Sequence, residues 1–127
     1  MRKLVVAVVL LWTPMVSAEV PTRFVTPISK VATSSSVATD TALWTPASGH
    51  SIAVMGCAVS SGAAQQTRLE FSNVLILPPI YTAADANYQT QSGAFPIAVG
   101  AADVALAYST TSTTTTTITC WGYEYTK

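Results

Sequence analysis

Eleven residues, His50 to Ser60, constrain the architecture more than any other stretch. They read His-Ser-Ile-Ala-Val-Met-Gly-Cys-Ala-Val-Ser. Under strict alternation Ile52, Val54, Gly56 and Ala58 point one way, and Ala53, Met55, Cys57 and Val59 the other. The run is too short and too β-branched for a helix, so it predicts a central strand covered on both faces. It also carries Cys57, one of two cysteines; the other, Cys120, lies in the closing run Ile118 to Tyr125.

The redox context of those cysteines is set by the N-terminus. Arg2 and Lys3 precede an apolar run from Leu4 to Trp12, Pro14 breaks it, and Val16-Ser17-Ala18 offers the compact residues a signal peptidase reads. Residues 1–18 are therefore expected to be a secretory signal peptide cleaved after Ala18. The run is too short to span a bilayer, which takes roughly 20 apolar residues. The expected location is secreted, periplasmic or at the cell surface, with no membrane association once the leader is gone. In such a compartment Cys57 and Cys120 are expected to form one structural disulfide. It would close a loop long enough to contribute about 4 kcal/mol by chain entropy. That is a large share of a net stability of about 5–15 kcal/mol. A metal pair would need more ligands, and His50 is the only histidine.

Removing eighteen of 127 residues leaves 109, a single domain by size. Its four basic residues (Arg23, Lys30, Arg68, Lys127) face six acidic ones, a net charge of −2. No basic patch exists to neutralise phosphates, so nucleic acid is not an expected partner.

Residues 19–40 form a lead-in broken by Pro21 and Pro27, with the hydroxyl-rich Thr33-Ser34-Ser35-Ser36, and are expected to be a flexible arm; Phe24, Val25, Ile28 and Val31 could add a short edge strand. The folded domain is expected over 41–127. Thr41 to Pro46 is a short strand, and Pro46-Ala47-Ser48-Gly49 supplies a turn. In Gln66 to Phe71, Leu69 and Phe71 are expected to face the core while Arg68 and Glu70 face water. Asn73 punctuates, Val74 to Leu77 is apolar, and Pro78-Pro79 closes it. Ile80 to Ser92 reads as a long loop or one helical turn. Phe95 to Val99 and Val104 to Tyr108 are further strands, and a Thr-rich run leads into the last strand, ending at Tyr125. Strand-length segments between turns every eight to twelve residues predict an all-β fold. The expected architecture is a single antiparallel β-sandwich, jelly-roll-like or Ig-like, with one disulfide.

Chemistry-bearing patterns are sparse. There is no Gly-x-Ser-x-Gly elbow, His-Glu-x-x-His helix or phosphate-cradling glycine loop. Asp85 and Asp103 fall in loops, and Glu70 and Glu124 are expected on outward strand faces, so no carboxylate pair is singled out for glycosidic work. No loop is rich enough in oxygen ligands for calcium. The expectation is a protein that is not an enzyme and takes no cofactor or metal. Two aromatic groups are the candidates for ligand stacking: Tyr81 with Tyr88, and the period-two stripe Trp121, Tyr123, Tyr125. The stripe is expected to fill the core, the commoner role of such aromatics; a glycan platform is the alternative.

The stretch Leu43-Trp44-Thr45-Pro46-Ala47-Ser48-Gly49-His50-Ser51-Ile52-Ala53-Val54-Met55-Gly56, with the closing Ile118-Thr119-Cys120-Trp121-Gly122-Tyr123-Glu124, resembles small β-sandwich proteins associated with phage particles. In those a Trp-x-Pro-x-Ser-Gly turn feeds the first core strand and Gly-Tyr-Glu ends the domain. The resemblance spans Ala42 to Tyr125 and implies a decoration, neck or fibre component with no enzymatic residues. The leader and the two cysteines depart from that pattern and suit a bacterial exported protein, or a subunit exported before it assembles. The reading is a structural or assembly protein of a filament, surface structure or virion, with itself or a larger surface assembly as partner. The alternative is a secreted carbohydrate-binding module.

Overall fold

The computed structural model describes residues 26–91 and 94–126. The described residues form ten strands and no helix: β1 (Ile28–Ser34), β2 (Ala38–Trp44), β3 (Ser51–Ser61), β4 (Gln65–Phe71), β5 (Val74–Leu75), β6 (Ile80–Thr82), β7 (Ala86–Gln91), β8 (Ala98–Val99), β9 (Leu106–Thr110) and β10 (Thr116–Tyr125). One sheet runs β1-β10-β3-β7, with β8 also on β3; the other runs β2-β9-β4-β5, with β6 also on β4. All pairs are antiparallel. The protein is an antiparallel β-sandwich with one disulfide. Cys57 and Cys120 stand directly opposite each other on β3 and β10, with Cα atoms 4.1 Å apart.

Local sequence explains much of this order. In β4, Gln65, Thr67, Leu69 and Phe71 are buried while Arg68 is exposed, the alternation of a sheet with one covered face. Ser72 and Asn73 both take positive φ (46° and 64°), as a two-residue hairpin turn requires, and Phe71 pairs with Val74 across it. Pro78 and Pro79 cannot both serve a ladder, so β5 ends before them and β6 resumes pairing on the same edge of β4. Between the sheets Trp44, Ile52, Val54, Leu69, Leu106 and Ile118 are almost wholly buried, each contributing about 1.5–3 kcal/mol of transfer free energy.

The register of β3 departs from strict alternation. Gly56 pairs with Trp121 but Val54 pairs with Gly122, so β3 spends one more residue, Met55, than β10 at this step. This β-bulge reverses the parity of the strand. Ile52 and Val54 therefore join Cys57 and Val59 in the core, although alternation puts them on opposite faces. Strand β10 keeps its alternation through this point, so Trp121, next to the inward Cys120, lies outward over Gly56.

Other expectations change for tertiary reasons. Sheet pairing begins at Ile28, within the segment expected as an arm: β1 pairs with β10 over its whole length, and Ala38 pairs with Thr110 of β9. The leader, its cleavage site and positions 19–25 lie outside the described residues. Ile80 to Gln91 is neither helical turn nor long loop but β6 and β7, joined by a turn in which Asp85 has φ 57° and the Ala86 N–H donates to the Ala83 carbonyl.

Candidate functional site

The outer face of the first sheet carries the aromatic stripe. Trp121, Tyr123 and Tyr125 are partly exposed there, while Ile118, Cys120 and Gly122 on the alternate positions are buried. The expectation that the stripe fills the core is thus corrected, because the inward positions of β10 are taken by the disulfide and Ile118. A Cβ built on Gly56 would collide with the Trp121 indole and with the Thr90 carbonyl oxygen, so the ring lies against bare backbone. The Tyr123 and Tyr125 rings follow, with centroids 6.0 Å apart and planes tilted by 53°. Further along the same face, Ser60, Asn87, Gln89, Thr117 and Thr119 border a depression of about 280 Å³.

The other candidate pair is divided between the two sheets: Tyr88 lies on β7 and lines the same depression as Asn87 and Gln89, whereas Tyr81 does not. Tyr81 on β6 stands opposite Gln66 and accepts a hydrogen bond from its Nε2 at 2.7 Å. It is 75% exposed and belongs to the other sheet. Tyr88 pairs with the inward-facing Val59 on β7, at the sheet edge, and is 38% exposed.

A second feature is an apolar groove of about 400 Å³ between β5 and β8, lined by Phe71, Val74, Leu75, Ile97, Val99 and Val104 among others. Both edges here are short: β5 and β8 are two residues each. Val74 and Val99 are 68% and 51% exposed, and nearby Phe95 is 80% exposed. Val74 to Leu77 was legible as an apolar run, but its exposure follows from its place on an interrupted edge.

Two carboxylates sit in settings their local pattern conceals. Glu70, expected in water, is 4% exposed. It faces Asp40, two strands away, and the Ser109 hydroxyl between them lies 3.4 Å from a carboxylate oxygen of each. The Asp40 hydrogen bond, burial and the Asp40 charge raise the Glu70 pKa, against opposing pulls from Arg68 and Ser109. No sequence signal joins positions 40 and 70; only the β2-β9-β4 order does. Glu124 faces inward, accepting from Trp44 Nε1 at 2.7 Å and from the Ala47 N–H at 2.9 Å. Burial pushes its pKa up, but those donors, with His50 and Lys30, outweigh burial and leave it lowered.

The loops supply structure as well. Asp103 accepts from the Gly49 N–H at 2.6 Å and returns its own N–H to the His50 carbonyl at 2.9 Å, while His50 Nδ1 lies 3.0 Å from the Ser48 carbonyl oxygen. Among the described residues no cluster of three or more His, Cys, Asp or Glu side chains is arranged to hold a metal ion. No described helix is long and apolar enough to cross a membrane.

These features define a disulfide-stapled β-sandwich with two unlike surfaces, an apolar edge groove and an aromatic sheet face. The sequence matches no family model and no curated protein.

Proposed function

We propose that this is a non-enzymatic structural protein, exported and assembled with copies of itself into a filament, surface structure or virion. The observation that carries the reading is the apolar groove between β5 and β8. Apolar side chains exposed beside interrupted strand edges are a poor ending for an isolated monomer and a good acceptor for a neighbour. The occupant we assign is the segment ahead of β1 in another copy, which carries Val20, Phe24 and Val25. Its point of departure suits the role: Ile28, Gly122, Val54 and Ala98 form one row across the sheet, so β1 begins level with the groove. Three strand spacings, about 14 Å, separate the two within one molecule. Nine extended residues reach about 30 Å, enough to pass to a neighbour. The resemblance to phage-particle sandwich proteins and the leader-like N-terminus point the same way.

Native mass spectrometry of the full mature chain tests this. The expected result is a discrete oligomer that dissociates in Val74→Asp, at an exposed position, and in Phe24→Ser. A strict monomer at high concentration, or an oligomer unchanged by both substitutions, overturns it.

A further inference from the structure

We propose that the outer face of the β1-β10-β3-β7 sheet is a binding platform for a neutral polysaccharide, separate from the assembly groove. Three observations converge. Trp121, Tyr123 and Tyr125 form a partly exposed row along β10. Alternate residues of a strand recur every 6–7 Å or so, which spaces the rings along one line. Aromatic faces are electron-rich and attract polarised C–H groups, which sugar rings present on their flat sides.

The row also runs into the depression bordered by Ser60, Asn87, Gln89, Thr117 and Thr119. These side chains offer hydroxyls and amides, each able to donate and accept, as sugar hydroxyls require. Stacking surface and hydrogen-bonding groups thus lie on one strand face in a continuous line, with Thr117, Thr119, Trp121, Tyr123 and Tyr125 at successive alternate positions of β10.

The face is, finally, uncharged along its strands. The residues of β1 opposite Thr117, Thr119 and Trp121 are Thr33, Val31 and Ser29, and those of β3 are Ser60, Ala58 and Gly56. Asp85, in the turn before β7, stands beside the far end. With no cation among the stacking residues, a uronate or sulfated chain finds no counter-charge, whereas a neutral chain loses nothing by that absence.

Affinity electrophoresis of the full mature chain tests this in gels containing soluble β-1,3-glucan, β-1,4-xylan, galactomannan or amylose, with alginate as the acidic comparison. Tryptophan fluorescence is the second readout: Trp44 is wholly buried, so a ligand-induced change reports Trp121. The expected result is retardation by at least one neutral polysaccharide. Binding should fall tenfold or more in Trp121→Ala and Tyr123→Ala and stay unchanged in Tyr81→Ala on the opposite sheet. Because Trp121 covers Gly56, Gln89→Ala provides a variant outside that packing and should weaken binding severalfold. Retardation by none of the four, stronger retardation by alginate, or equal binding by all variants overturns the proposal. Val74→Asp, which addresses the groove, should leave polysaccharide binding intact, so the two readings fail separately.

Discussion

Trp44 and Glu124 are joined by a 2.7 Å hydrogen bond from the indole Nε1 to Oε1, across 80 residues of chain and between the two sheets. The other carboxylate oxygen accepts the Ala47 N–H, so one side chain fastens the end of β10 to the turn after β2. The wholly buried Trp44 would otherwise hold an unsatisfied donor.

Replacing Glu124 with Ala should therefore cost about 2 kcal/mol at neutral pH, the usual range for hydrogen bonds to a charged group. Glu124 has a folded pKa below its ordinary 4.5, so its contribution is present above that value and lost as pH falls through the folded pKa. Urea unfolding of wild type and Glu124→Ala at pH 7 and pH 3 checks both points: the gap between them should shrink at the lower pH.

Glu70 has the opposite sign. Its folded pKa lies above the ordinary 4.5, so the stability tied to its proton is fully present below that value and lost as pH rises through the folded pKa. Glu70→Gln, which keeps a hydrogen-bonding side chain without the charge, should remove this loss and be more stable than wild type at pH 7. Asp40→Asn should act in the same direction. Melting temperatures across pH 4 to 7 measure the effect.

The Cys57–Cys120 bond joins directly opposed residues of β3 and β10, at a sequence separation of 63. The double substitution Cys57→Ala and Cys120→Ala should lower stability by about 4 kcal/mol through the freedom restored to the unfolded chain. Denaturant midpoints of oxidised wild type and the double variant give the value directly.

Thr67 is fully buried, and its hydroxyl has no hydrogen-bond partner. Thr67→Val keeps the branched shape and removes the desolvated oxygen, so it should stabilise by about 1 kcal/mol. For a domain of this size that raises the melting temperature by about 4–8 °C. Calorimetry reads it, and an unchanged or lower melting temperature would show that the hydroxyl is satisfied in solution.

The sequence by itself determined the all-β class, because helix-breaking residues cut it into strand-length runs and no helical period survives between them. It also placed both cysteines on strong strands, and it marked the turns at Ser48-Gly49 and Asn73. These are local properties, carried by φ preferences and side-chain shape over a few residues. Only the tertiary structure decided which way the chemistry faces. Met55 is the extra residue of the β3 bulge, between Gly56 opposite Trp121 and Val54 opposite Gly122. That one residue moved Ile52 and Val54 to the face of Cys57. Glu70 meets Asp40 only because β9 lies between β2 and β4, and β1 reads as an arm until β10 is there to pair with it. Alternation has a period of two and no memory of distant partners, so a single inserted residue or a sheet order is invisible to it.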